Sequence, residues 1–310
     1  MAPVFSRRFA AAIRITILGT LGAFVSARAA QACSMCRCSD PVFSALGQGL
    51  YTHLGFKMAL DWSRSDQSEG PPDDFEAQVR NTLTLTLSYS MQERFTFVAQ
   101  LPYVWAHQNA TDGIENATDL GDPAFYVYGR LWSSNFAPGM GRRAWLSAMV
   151  AVKTPWGKNN LIEDGERLDE HVQPGTGATN LSGGLSFLYL FDAQSSMYAS
   201  ATYTGTGRND FGYKYGNNFQ ASIVYDRKLA DWVDGLLEVN FLDAREDQLD
   251  DTGLVDENTG GQSLYLTPRV AIHVGHGVVA RMAAQFPVWK NLNGIQDIKP
   301  TYSAGVTYVF

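Results

Sequence analysis

Hydrophobic and polar residues alternate with period two from Asn81 to Trp105, with a single break. Leu83, Leu85, Leu87, Tyr89 and Met91 fall on one face, and Thr82, Thr84, Thr86, Ser88 and Ser90 on the other. After Gln92-Glu93-Arg94 the alternation resumes from Phe95 through Phe97 and Leu101 to Trp105. A repeat of 180° per residue marks a β-strand with one apolar and one polar side, so this stretch predicts a hairpin. One hairpin fits a soluble sandwich as well as a membrane barrel. Recurrence, segment length and the placement of aromatics separate the two.

The pattern recurs about twelve times. Leu50 to Trp62 reads as a first strand, with Phe56, Met58, Leu60 and Trp62 opposite His53, Lys57 and Asp61. Later examples are Leu146, Ala148, Val150 and Val152 against Ser147, Met149 and Lys153, and Tyr302, Ala304, Val306, Tyr308 and Phe310 against Ser303 and Thr307. The connections alternate in length. Short ones sit at Gln92-Glu93, 133–141, 193–195, 228–234 and 275–277; long polar ones cover 63–77, 108–119, 156–179, 205–217, 244–261 and 289–299. Segments of about ten residues with aromatics at their ends, short turns on one side and long loops on the other describe an outer-membrane barrel. The expected fold is therefore all-β, a transmembrane antiparallel β-barrel of about twelve strands, with both termini on the periplasmic side.

In such a barrel the apolar face meets lipid and the polar face meets the lumen. Every charge inside the strands lies on the polar face. His53, Lys57, Asp61, Arg130, Lys153, Glu238, Arg269, His273 and Arg281 thus become candidates for the solute path. Basic groups outnumber acids among them, whereas the long loops are strongly acidic. A basic interior under an acidic rim would concentrate anions inside while the rim gathers cations. Equally, the lumenal charges could pair to fill a narrow barrel. Phe310 in phase with Tyr308 and Tyr302 fits the closing strand handed to the outer-membrane assembly machinery.

Composition agrees: among 310 residues only 18% are charged, 12% are aromatic and 29 are glycine. The chain opens with Arg7, Arg8 and Arg14 around an apolar run ending at Val25, followed by Ala30-Gln31-Ala32. That is the layout of a secretory signal peptide over residues 1–32. Arg7-Arg8 also fits, weakly, a twin-arginine signal, a route for folded cargo that a membrane barrel would not use. Residues 33–47 read as a Cys-rich periplasmic tail and 48–310 as the barrel, placed in the outer membrane of a Gram-negative cell. All three cysteines of the chain, Cys33, Cys36 and Cys38, lie in that tail beside Met35. Thiolates with a thioether suit a soft ion such as copper(I). A disulfide with a spare thiol, or a lipid on Cys33, fits the same residues. No histidine follows Cys36, which excludes c-type haem attachment.

Several connections form a recognisable ordered set. They are Asp119-Leu120-Gly121-Asp122-Pro123, Lys153-Thr154-Pro155-Trp156-Gly157, Gln173-Pro174-Gly175-Thr176-Gly177, Thr259-Gly260-Gly261, Leu264-Tyr265-Leu266-Thr267-Pro268 and Gln285-Phe286-Pro287-Val288. Together they resemble the outer-membrane transporter family linked to meta-pathway phenol degradation. The resemblance runs from about residue 119 to the C-terminus and implies transport by a twelve-stranded barrel. Two features depart from it: Trp156 stands where that family has Thr, and the Cys-rich start is foreign to it.

The expected function is a channel or transporter for small solutes, anionic or aromatic, with a metal link through the tail. No nucleophile elbow, metal-binding helix or phosphate loop is present, so an enzyme is not expected. An outer-membrane hydrolase is the competing catalytic reading; it would need a Ser/His pair at the lipid face. His53 and His273 point inward by parity, and His107, His171 and His276 fall in connections. The third reading is a scaffold that docks a periplasmic redox or metal partner. Lipid, the assembly machinery and a small-molecule solute are the expected partners, and nucleic acid is not.

Overall fold

The computed structural model describes residues 55–310, apart from 72–74, 93, 112, 135, 138–140, 164 and 250–251. Cys33, Cys36, Cys38, His53 and the leader lie outside the described residues. Twelve antiparallel strands follow one another round a closed ring: β1 Gly55–Glu69, β2 Glu76–Met91, β3 Phe95–Ala110, β4 Ala124–Ser133, β5 Ala144–Lys153, β6 Asn180–Leu190, β7 Ser195–Gly205, β8 Asn218–Ala230, β9 Val233–Ala244, β10 Gly261–Gly275, β11 Val278–Leu292 and β12 Thr301–Val309. The ring closes where β1 pairs with β12, from Lys57↔Val309 to Arg64↔Tyr302. Closure leaves no unpaired edge in lipid, the condition for a sheet to cross a bilayer. Both β1 and β12 meet at the short-turn rim, where the Phe56 and Phe310 rings lie 5.1 Å apart.

The alternation sets the faces. Phe56, Met58, Leu60 and Trp62 on β1, and Phe97, Leu101, Tyr103 and Trp105 on β3, are exposed on the outer wall. Thr82, Thr86, Ser88 and Ser90 of β2 are buried on the inner one. Aromatics mark both edges of the apolar belt: Tyr89, Tyr225, Tyr308 and Phe310 toward the turns, Trp62, Tyr103, Trp105 and Trp289 toward the loops. Such girdles sit at membrane interfaces. Ile223, mid-strand in β8, is 55% exposed on this belt. Ile223→Arg should lower the folding free energy in liposomes by about 2–4 kcal/mol; a urea midpoint equal to that of the parent would show that this face does not meet lipid.

The turns carry their own chemistry. His276 and Gly277, between β10 and β11, have φ of 52° and 77°. Two successive positive φ angles are what a two-residue type I′ hairpin requires. A Cβ on Gly277 would lie 2.4 Å from the Val309 carbonyl oxygen, so glycine is also a packing requirement there.

The expected loop boundaries need correction. β1 runs on to Glu69 and β2 starts at Glu76, so most of the segment expected as a 63–77 loop is strand. The expected 108–119 loop is the tip of β3 and a partner strand, Gly113–Leu120, registered from Tyr103↔Leu120 to Ala110↔Gly113. His107, expected in a connection, therefore stands in β3. Above the apolar belt both faces of a strand are polar, so alternation stops while the hydrogen-bonded ladder continues. Gly121-Asp122-Pro123 then breaks the wall between this extension and β4, and β3 pairs with β4 only from Phe95↔Gly129 to Gln100↔Ala124.

Candidate functional site

All twelve strands line one interior cavity of about 750 Å³. Its wall is a ladder of hydroxyls and amides, including Thr84, Thr86 and Gln100 on one side and Thr202, Thr204 and Gln220 on the other. It reaches Thr307 and Val309 at the turn rim, and Arg80, Pro174 and Asp247 at the loop end.

Lys57, Asp61, Lys153, Arg269, His273 and Arg281 all border this cavity. Most of these charges are paired. Arg281 Nη2 donates to Asp61 Oδ1 at 2.7 Å. Arg269 donates to Glu238 Oε2 through Nε at 3.0 Å and also through Nη2. Lys153 Nζ lies 2.7 Å from Asp122 Oδ2, and His273 Nε2 lies 2.6 Å from Asp234 Oδ2. Lys57 is buried at 3% exposure. Arg130 stands with its guanidinium 5.9 Å from the centroid of the Trp145 ring. Beside it, Trp145, Leu188, Tyr198 and Val224 pack into an apolar cluster on the inner wall of β5 to β8. This cluster fills the turn end of the barrel on that side. No sequence signal marked it, because its members come singly from four different strands.

The loop end is closed by a cap built mainly from residues 154–179, which turn inward after β5. Apolar packing seats it: Leu168 and Val172 are buried against Val104 and Ala106 of β3 and Ala117 of the extension. Arg80 of β2 then reaches up to three backbone carbonyls of the cap, His171 (3.2 Å), Gln173 (3.2 Å) and Pro174 (2.9 Å). The deepest anchor is Asp122. Its carboxylate accepts from Gly157 N at 3.0 Å, from Thr176 N and Oγ1 at 2.7 Å each, and from the Lys153 ammonium. A Cβ on Gly157 would lie 2.5 Å from the backbone carbon of Gly121, so only glycine lets the two segments touch. Three motifs noted in the sequence, 119–123, 153–157 and 173–177, therefore meet in one knot.

A second cluster surrounds His171, which is 5% exposed. Nδ1 lies 2.9 Å from Glu69 Oε1 and 3.5 Å from Asp169 Oδ1. Nε2 lies 2.9 Å from Tyr213 Oη and 3.6 Å from Asp247 Oδ2. Burial opposes a charge on this ring, but Tyr213, Glu69, Asp169 and the bond to Asp247 outweigh it and hold the pKa well above the ordinary histidine value. Burial likewise pushes the Tyr215 phenol above its usual range. Asp122, Thr176, Glu69, Glu76 and His171 were not among the residues expected to matter; the motifs 119–123 and 173–177, which hold Asp122 and Thr176, were the only signals pointing to any of them.

No family model and no curated protein matches this sequence. Solved structures do match its fold. An outer membrane channel from Pseudomonas putida F1 superposes with a TM-score of 0.64 at 11% identity, covering 85% of this chain and 98% of that one. The β domain of the Bordetella autotransporter BrkA gives 0.52 at 12% identity, covering 83% and 100%. The chain has the fold of an outer-membrane β-barrel. At these identities the likeness is one of architecture, and the resemblance to the meta-pathway phenol transporters is carried by sequence motifs alone.

Proposed function

We propose that this protein is an outer-membrane channel that lets small polar solutes diffuse through its lumen, with entry metered by the folded cap. The observation that carries this is the interior cavity bordered by all twelve strands, reaching from the cap to the turn rim, with hydroxyl, amide and charged side chains set along its wall. A barrel meant only as an anchor would fill that volume with side chains, as eight-stranded barrels do.

The charge arrangement narrows the cargo. The sequence suggested an anion-selective interior with Arg269 and Arg281 as attracting groups. Each of these cations faces a carboxylate, so the lumen presents alternating charge with little net field. Such a wall suits small polar and zwitterionic solutes, with aromatic ones accommodated by Tyr126 and Tyr265 on the cavity surface. In planar bilayers the protein should give ohmic single-channel steps in potassium chloride, with a reversal potential near zero in a salt gradient. Bilayers that stay silent with folded protein present would remove the channel reading and favour a scaffold.

A further inference from the structure

The barrel rim next to the cap brings together side chains from three separate segments. Glu69 ends β1, Glu76 begins β2, and His171 belongs to the cap. One ligand-type atom from each lies within 4.8 Å of those of the other two. Metal–nitrogen and metal–oxygen bonds of about 2.0–2.2 Å let atoms on opposite sides of one ion lie roughly 4 Å apart, so small side-chain adjustments suffice.

The hydrogen bonds of the surrounding residues point to the same conclusion independently. Tyr213 has one hydroxyl proton and donates it to Asp247 Oδ2 at 2.7 Å. Its oxygen is therefore an acceptor toward His171, and Nε2–H must be the donor across that 2.9 Å contact. Nδ1 then faces Glu69 at 2.9 Å, in the same cluster as Glu76, and a metal ion entering there would take the place of any proton on it. Holding one nitrogen through an outer hydrogen bond while the other faces a ligand is the usual arrangement of a metal-bound histidine. Glu76 is held in a similar way, by Gln108 Nε2 donating to its Oε2 at 2.7 Å. Asp169 can supply a further oxygen, its Oδ1 being 3.5 Å from Nδ1.

We propose that Glu69, Glu76 and His171 form a binding site for a divalent first-row metal ion, which ties the cap to the barrel rim. One imidazole with two carboxylates is a borderline donor set that suits zinc, while calcium and magnesium favour all-oxygen shells. The site deepens the channel reading by giving the cap a control element, but metal binding itself does not depend on conduction.

The test is calorimetric titration of zinc chloride into chelator-treated, folded full-length protein. Cys33, Cys36 and Cys38 are replaced by serine so that the N-terminal thiols cannot compete. One equivalent of zinc should bind, and excess calcium should not displace it. Glu76→Gln and His171→Ala should each weaken binding by at least about 100-fold, and Tyr213→Phe, a positioning change, by about 10-fold. Glu76→Gln preserves shape, so it reports on the site even if His171→Ala fails to fold. Absence of binding in the cysteine-free protein, or equal affinity in that protein and Glu76→Gln, would overturn the proposal. Zinc binding to a barrel that conducts nothing would sink the channel reading and keep the site; conduction without zinc binding would do the reverse.

Discussion

Replacing Asp122 with alanine is expected to raise the open probability of the channel sharply while the barrel still assembles. The Asp122 side chain is 3% exposed and accepts hydrogen bonds from both ends of the cap and from Lys153. Hydrogen bonds to a charged group are each worth about 1.5–3 kcal/mol, and orphaning a buried ion-pair partner costs about 3–5 kcal/mol. Part of that loss is recovered when the freed Lys153 ammonium reaches water. A remaining 3 kcal/mol or so, at about 1.4 kcal/mol per decade, shifts the closed-to-open ratio on the order of 100-fold. Assembly should survive because Asp122 sits above the β3–β4 ladder, which begins at Ala124. Single-channel recording beside the parent decides the matter. Unchanged gating in folded Asp122→Ala would show that the knot does not hold the cap.

The second large effect is on stability. Glu238 is 1% exposed and receives two guanidinium hydrogen bonds from Arg269. Glu238→Gln removes the counter-charge and leaves Arg269 in the lumen wall, which should destabilise the barrel by about 3 kcal/mol. Adding Arg269→Gln should recover most of that loss, because removing both charges also removes the desolvation that each one bears. Urea unfolding in liposomes measures both variants. A double variant no more stable than Glu238→Gln alone would show that the pair contributes nothing as a pair.

The lipid-facing half of this architecture was legible, and the reason is solvent. Wherever a strand crosses the bilayer, lipid on one side and water on the other impose alternation, so strand number, faces and turn side could be read from Leu83 to Met91 and its repeats. Above the belt water lies on both sides. There the ends of β1 to β3, such as Ser65 to Glu69, looked like loop. Parity also placed Arg269 and Glu238 on the inner face, but it carries no information about partners 31 residues apart, and still less about Asp61 and Arg281 at a separation of 220. The cap was hidden for a related reason. Its three motifs were visible as motifs, yet their meeting at Asp122 depends on how a connection with only one two-residue ladder, Ile162–Glu163 against Glu166–Arg167, folds back into the ring.

The unequal height of the wall has an electrical consequence. β2 and β3 have sixteen residues each, whereas β6 and β7 have eleven. At about 3.3 Å per residue and a tilt of about 40°, sixteen residues climb roughly 40 Å, against an apolar band of about 25 Å. The excess stands clear of lipid on the loop side, above Trp62 and Trp105, and the cap and the Glu69–His171 cluster stand with it. A voltage applied across the membrane falls over the narrow septum below, where Asp61–Arg281 and Glu238–Arg269 lie. The field therefore acts on the lumenal charges and on ions in transit, and hardly at all on the cap. On the proposed channel reading, opening of the cap is expected to answer to chemistry in the surrounding water rather than to membrane potential.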